Sequence, residues 1–192
     1  MITGALLIVA ALALFLHNQQ EDKQAKASVE GILPKLVQSI EDKKDSSDDE
    51  GSVLPDPYDP AMTVVEIDGY GYIGYVTLPS VGIELPVMDQ WDDDRLDIAP
   101  CRYSGSVKTD DMVIAAHNFR WHFGALSSVK IGDTVLFTDM DGIVYKYTVT
   151  ALDVLSATAV EDMTSGDYDL TLFTCTYGGQ SRITVRCGRY TE

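Results

Sequence analysis

From about Met62 onward the chain is a succession of short runs rich in β-branched and aromatic residues: TVVEID, YIGYVTLP, IELPV, MVIAAH, TVLFTDM, IVYKYTVT, YDLTLFTCT and RITVRC. Gly, Pro and Asp punctuate them, the pattern of strands joined by tight turns. Eight such runs leave room for only one or two short helices, for which WDDDRLDI and HFGALSSV are the candidates. So many short strands in one small domain protect their edges by closing on themselves. The expectation over residues 62–192 is therefore a mainly β domain, an eight-stranded closed or nearly closed barrel. Asp141-Gly142 predicts a hairpin turn inside it. GYGYIGY at 69–75 reads as a tightly packed barrel edge.

The first third of the chain is of another kind. Residues 2–16, ITGALLIVAALALFL, carry no charge and are followed at once by the polar HNQQEDKQAKAS. Fifteen apolar residues are short of the roughly 20 of a comfortable membrane span, so a signal-peptide core competes with an anchor; AKA at 25–27 lies far from the apolar core for a cleavage site, which favours an uncleaved anchor over 1–17. Residues 18–61 read as a tether. Within it Val29, Ile32, Leu33, Leu36, Val37 and Ile40 recur at helical spacing, predicting an amphipathic helix over about 29–41 with Pro34 near its start. EDKKDSSDDEGS then reads as a disordered stretch, and VLPDPYDP as an extended one. The expectation is a single-pass protein of the cell membrane with its folded domain outside.

A net charge of −16 argues against nucleic acid as a partner and favours a cationic substrate segment. The three cysteines, Cys101, Cys175 and Cys187, are an odd number for an exported chain, so at least one is free or pairs between molecules. A Cys101–Cys187 bridge would leave Cys175 as the free thiol.

Cys175 stands where chemistry is easiest to build. The runs 170–176 and 182–187 form a candidate antiparallel hairpin through YGGQS, and symmetric closure puts Cys175 opposite Arg182, with Cβ atoms about 5 Å apart. Arg186 would oppose Thr171, some 13 Å further along the strand. A nucleophilic cysteine needs thiolate, which a neighbouring cation favours, and a proton carrier, most often His. His17 abuts the apolar segment. His122 lies in a Trp/Phe-rich stretch and reads as a packed or surface ring. His117 ends the apolar strand MVIAA, where functional groups of a barrel sit. Each residue alone has a plain reading too: a buried thiol as a small hydrophobe, a strand-end His as a satisfied polar group, a strand Arg as a solvated face.

Taken together, TLFTC, an arginine seven residues after its cysteine, and an upstream apolar strand ending in His resemble the sortases, the cysteine transpeptidases that attach proteins to Gram-positive cell walls. The likeness spans about residues 66–189 and includes GYIGYVTLPSVGIELPV, VIAAHN and LSSVKIGDTVLFTDMDGIVYKYTV. The resemblance implies an eight-stranded barrel with His117, Cys175 and Arg182 as the catalytic trio. Cys175 would attack the Thr–Gly-type amide of a signal resembling Leu-Pro-x-Thr-Gly, His117 would protonate the departing amine, and Arg182 with the Thr176 N–H would hold the oxyanion. Thr174, on the other face of the strand, would hold the strand end or contact the substrate backbone. A thioacyl-enzyme would pass to an amine, of a cell-wall precursor or a pilin lysine.

No metal or cofactor is required. Some family members bind calcium through an acidic loop, for which EDMTSGDYD at 161–169 is the candidate, although it reads better as a solvated loop. Asp56-Pro57-Tyr58, within 54–60, resembles the lid of pilin-polymerising sortases: Asp56 would reach Arg182 or His117 and Tyr58 would cap the thiol. The class that anchors single proteins to peptidoglycan is the competitor. Outside the family, a cysteine protease would hand the same acyl group to water, and a non-catalytic surface barrel would keep Cys175 as structure.

Overall fold

The structure is a computed structural model and describes residues 2–47 and 61–190. Its strands are β1 (Val65–Ile67), β2 (Tyr70–Leu78), β3 (Ile83–Met88), β4 (Cys101–Ser104), β5 (Met112–Ala115), β6 (Thr134–Asp139), β7 (Val144–Ser156), β8 (Leu170–Cys175) and β9 (Ser181–Arg189). They hydrogen-bond in the order β1-β2-β3-β4-β5-β8-β9-β7-β6, and β6 pairs back onto β2. The ring from β2 round to β6 is thus a closed eight-stranded barrel, with β1 a three-residue flap on its outside. Each of the eight runs read from the sequence contributes a strand. β4, CRYS, is the one that reading missed, because four residues with two polar ones carry no run of β-formers.

Two apolar layers hold the fold. The barrel interior is filled by Ile73, Val76, Leu85, Ile114, Phe137, Tyr147, Leu172 and Val185, among others. A second cluster lies between the barrel wall and the helix α1 (Ile2–Ser47), where Ile32, Leu36 and Ile40 meet Ile67, Tyr72, Met88, Cys101 and Met140. Here the structure departs from the sequence reading. The helix expected over 29–41 is part of one continuous helix that carries Pro34 in its interior and takes in residues 41–47 of the stretch read as disordered. The stripe Ala25, Val29, Ile32, Leu36 and Ile40 is fully or nearly buried, and burying five apolar side chains outweighs the cost of an interior proline, about 3 kcal/mol. Polar contacts fasten the helix along its length: Asp22 Oδ1 accepts the Arg120 N–H at 3.0 Å, Lys35 meets Asp68 at 2.6 Å, and Lys43 pairs with Asp141.

Upstream of that stripe, Leu6, Leu7, Ile8, Val9, Leu12, Leu14, Phe15 and Leu16 are all exposed. Among the described residues no helix is long and apolar enough to cross a membrane. Asp56, Pro57 and Tyr58 lie outside the described residues.

Closure of the barrel depends on Gly74. It sits at an irregularity in the β2–β3 register, with φ +146°, and pairs with Asp139 across the β2–β6 seam. A Cβ there would stand 2.0 Å from the Thr138 carbonyl oxygen. We expect Gly74→Ala to lower stability by about 2 kcal/mol or more, read as a shift of the urea unfolding midpoint; an unchanged midpoint would show that the seam can open to admit a side chain.

Candidate active site

Three adjacent strands set the site. β8 runs antiparallel to β9 with Cys175 paired to Arg182 and Thr171 to Arg186, as the hairpin symmetry predicted. On the other side of β8, β5 runs parallel to it, with Ala115 level with Phe173 and the Ala116 N–H donating to the Phe173 carbonyl at 3.2 Å. His117 follows two residues past the end of β5, on the side of β8 away from Arg182. Because side chains alternate along a strand, His117, Cys175 and Arg182 share one face, and it is the face turned away from the barrel core of Leu170, Leu172 and Val185. All three line one cavity of about 270 Å³. The hairpin loop that returns the chain holds Gly178 and Gly179 at φ +85° and +71°, so two successive residues there favour glycine.

The cavity is a largely apolar cleft that the trio shares with aromatic and aliphatic side chains. Trp91 and Tyr103 meet at a tilt with ring centroids 5.1 Å apart, Tyr103 meets Phe173 edge-on at 5.3 Å, and Val160 and Met163 also line the cleft. Tyr103 comes from β4, so the strand that sequence reading missed supplies part of the wall. His117 Nε2 lies 3.1 Å from Asp97 Oδ1, and its ring packs on Phe119 at 4.7 Å. Asp97 was not anticipated. It closes the short helix α2 (Asp93–Leu96), which begins at Asp92, whose carboxylate accepts the Arg95 N–H at 2.8 Å. The only signal for it in the sequence was the WDDDRLDI turn itself.

The two arginines of β9 separate cleanly. Arg182 is partly exposed, and its Nη1 donates to the carbonyls of Gly179 at 2.9 Å and Ser181 at 3.3 Å. Arg186 is buried and spends its guanidinium on structure: Nε lies 3.4 Å from Asp153, Nη1 donates to Thr171 Oγ1 and the Met163 carbonyl, and Nη2 to the Asp162 carbonyl at 2.6 Å. This anchors the acidic stretch 161–169 and the helix α3 (Val160–Met163) that walls the cleft. A fixed guanidinium on the Asp162 and Met163 carbonyls at the start of that stretch works against a calcium ion there. Among the described residues no group of three or more His, Cys, Asp and Glu side chains is placed to hold a metal.

Thr176 differs from expectation. The Thr176 N–H, expected at the oxyanion, donates instead to the Ser181 carbonyl at 2.9 Å, because the β8–β9 ladder continues one step past Cys175. The Thr176 hydroxyl exchanges hydrogen bonds with the same residue, which makes Thr176 a fastener of the hairpin. Thr174 takes the core face, as read from the alternation; it is 2 % exposed, and its hydroxyl has no hydrogen-bond partner. The three cysteines are all free thiols, so the Cys101–Cys187 bridge is not formed. Burial pushes the pKa of both Cys101 and Cys187 up to about 12, which leaves them as inert core residues.

His122 is fully buried, with no well-formed hydrogen bond to either ring nitrogen. Burial first, and His117 second, push its pKa down to about 4, against a weak opposing pull from the backbone of Ile98. The unfolded chain therefore takes up its proton more readily than the folded one. Stability from this group is full above about pH 6.5 and is lost as pH falls towards 4, to a total of roughly 3 kcal/mol. We expect His122→Phe to flatten the drop in melting temperature between pH 7 and pH 4.5; an equal drop in variant and wild type would contradict a neutral buried imidazole.

Comparison with known proteins agrees with this geometry. The sortase domain profile matches residues 76–190. Among solved structures, sortase C1 of Streptococcus suis is 28 % identical, with a TM-score of 0.54 over 63 % of this chain and 74 % of that one. At lower identity the fold alone is shared. A pilus-related sortase C of Group B Streptococcus is 21 % identical and covers 90 % of this chain and 96 % of its own, with a TM-score of 0.56. A sortase D5 transpeptidase of Clostridium perfringens is 16 % identical and covers 88 % and 99 %, with a TM-score of 0.60. No curated protein matches the chain significantly. With the profile covering more than half its length, and a closed barrel bearing His, Cys and Arg on one face, the chain belongs to the sortase family.

Proposed function

We propose that the protein is a sortase-type transpeptidase, and the observation that carries this is the single cleft lined by His117, Cys175 and Arg182, the last two paired across β8 and β9. The Cys175 thiolate attacks the Thr–Gly-type amide of a sorting signal resembling Leu-Pro-x-Thr-Gly. The aromatic and aliphatic walls of the cleft suit the apolar Leu-Pro end of such a peptide. A bond forms between Sγ and the carbonyl carbon, and the oxyanion rests on Arg182. Its Nη1 is committed to loop carbonyls, so this falls to Nη2 or Nε. His117 as imidazolium gives its proton to the departing amine, which leaves a thioacyl-enzyme and a neutral imidazole. An incoming amine then attacks the thioester, its proton passes to His117, and Cys175 departs as thiolate. Asp97 keeps the imidazole in place through both steps.

The acceptor amine belongs to a cell-wall precursor or to a pilin lysine. The sortase C neighbours support the pilin reading, and the same acyl-enzyme handed to water would be protease action. Residues 2–16 attach the protein to the cell membrane with the barrel outside. Eight exposed large apolar side chains on that stretch support this, although its 15 helical residues reach only about 22 Å against roughly 30 Å of hydrocarbon.

Mass spectrometry of the full chain mixed with an LPXTG-type peptide tests the reading. Wild type acquires a thioacyl adduct on Cys175, Cys175→Ala acquires none, and Arg182→Ala acquires it about 10²- to 10³-fold more slowly. An adduct that survives Cys175→Ala, or a rate indifferent to Arg182, would sink the assignment.

A further inference from the structure

Of the charged side chains that line the catalytic cleft, one has no task in the reaction. Arg182 and His117 belong to the chemistry, and His117 is met by Asp97. Asp93 remains. It is exposed in the first turn of α2 and lines the same cavity as the thiol, and among the described residues its carboxylate has no hydrogen bond or ion pair. Its neighbours on the helix are committed: Asp92 caps the helix and pairs with Arg95, whose guanidinium lies 5.9 Å from the centre of the Tyr70 ring. Beside Asp93 in the cleft stand Trp91, 46 % exposed, and Tyr103, tilted against it. Arg102 lines a neighbouring cavity with that aromatic pair, and its Nε donates to the Asp89 carbonyl at 2.9 Å. The cations that do stack on rings, such as Lys26 on Trp121, are elsewhere. An unpaired carboxylate next to a half-exposed indole is the chemistry that holds an ammonium or a guanidinium, with the charge on the acid and the stem on the ring.

We infer that the cleft reads the variable residue of the sorting signal, the x of Leu-Pro-x-Thr-Gly, and selects lysine or arginine there, with Asp93 taking the charge and Trp91 the stem. The inference rests on the transpeptidase reading and deepens it. Leu, Pro, Thr and Gly are uncharged, so x is the one position within the motif that can carry a cation. Reach agrees with this. A round cavity of about 270 Å³ is about 8 Å across, and an extended chain advances about 3.3 Å per residue. The residue next to the Thr whose carbonyl meets Cys175 therefore stays inside the cavity that Asp93 lines. Discrimination has two parts: a cationic x is attracted to the free carboxylate, and a glutamate at x meets it as a like charge. Both contacts are open to solvent, so the preference is modest and shrinks as salt is raised. Arg182 would pull an acidic x the other way, but its Nη1 is held by the Gly179 and Ser181 carbonyls and the rest of its guanidinium serves the oxyanion.

The test uses the full chain and Leu-Pro-x-Thr-Gly peptides with Lys, Gln or Glu at x, together with a fourth that keeps Gln at x and carries a lysine before the leucine. The peptides compete in one mixture, and mass spectrometry reads the relative rates at which each forms the thioacyl adduct on Cys175. A ratio taken within one sample is unmoved by loss of folded enzyme. Wild type should favour Lys over Glu about tenfold, with Gln between them. Asp93→Asn should reduce that ratio to about two- to threefold, Asp93→Lys should reverse it, and Trp91→Ala should lower the Lys-to-Gln ratio about threefold. A wild-type Lys-to-Glu ratio near one, a preference for Glu, a ratio unmoved by Asp93→Lys, or a preference carried only by the lysine before the leucine would overturn the inference while leaving the transpeptidase standing. No thioacyl adduct with any of the peptides would instead overturn the reading beneath it.

Discussion

The register of β8 against its two neighbours is the constraint on which the site depends. A parallel ladder with β5 fixes the level of His117, and an antiparallel ladder with β9 fixes that of Arg182; Cys175 stands between them. Side-chain direction has a period of two, so a slip of one residue in either ladder would send a partner to the barrel interior. The interior face of the same strands is filled by Leu170, Leu172, Ile114 and Val185, and such a slip would expose that core. Catalytic geometry and core packing are therefore one constraint. Cys175 and Arg182 stand on rigid strands and His117 follows two residues past the end of β5, which is how a site is held to the tolerance that acyl transfer needs.

Around this frame the two arginines of one strand divide the work. Arg186 ties β9 to Asp153 of β7 and to the carbonyls of Asp162 and Met163 in α3, and so holds the wall of the cleft. Arg182, four residues earlier and facing the same way, donates to the carbonyls of Gly179 and Ser181 and is paired across the ladder with Cys175. The helix α1 adds a second level of organisation. By packing on the outside of β1, β2 and β3 it buries its own stripe, and it brings Asn18, Glu21 and Asp22 to the far side of Cys175.

Much of this was legible in the sequence because its signals are local. Each of the eight strand runs carries its own β-branched and aromatic residues, and the hairpin arithmetic from YGGQS gave the Cys175–Arg182 and Thr171–Arg186 pairs directly. What escaped depends on distant chain segments. β4 is short and polar, and is a strand only because Met88 and β5 offer it ladders. Asp97 reaches His117 across a fold that no spacing rule predicts, and Thr176 lost its expected N–H to a ladder bond that depends on where the β8–β9 pairing stops. The helix α1 was under-read because residues 41–47 have no apolar payload of their own; Lys43 on Asp141 and the neighbouring Ile40 in the cluster hold them.

The most direct test of the central claim is the crystal structure of a covalent Cys175 adduct with a sorting-signal mimetic. The account predicts the acyl chain in the cleft of Trp91, Tyr103 and Phe173, with the former carbonyl oxygen within about 3 Å of the Arg182 guanidinium. An oxygen held by another donor, with Arg182 turned away, would contradict it.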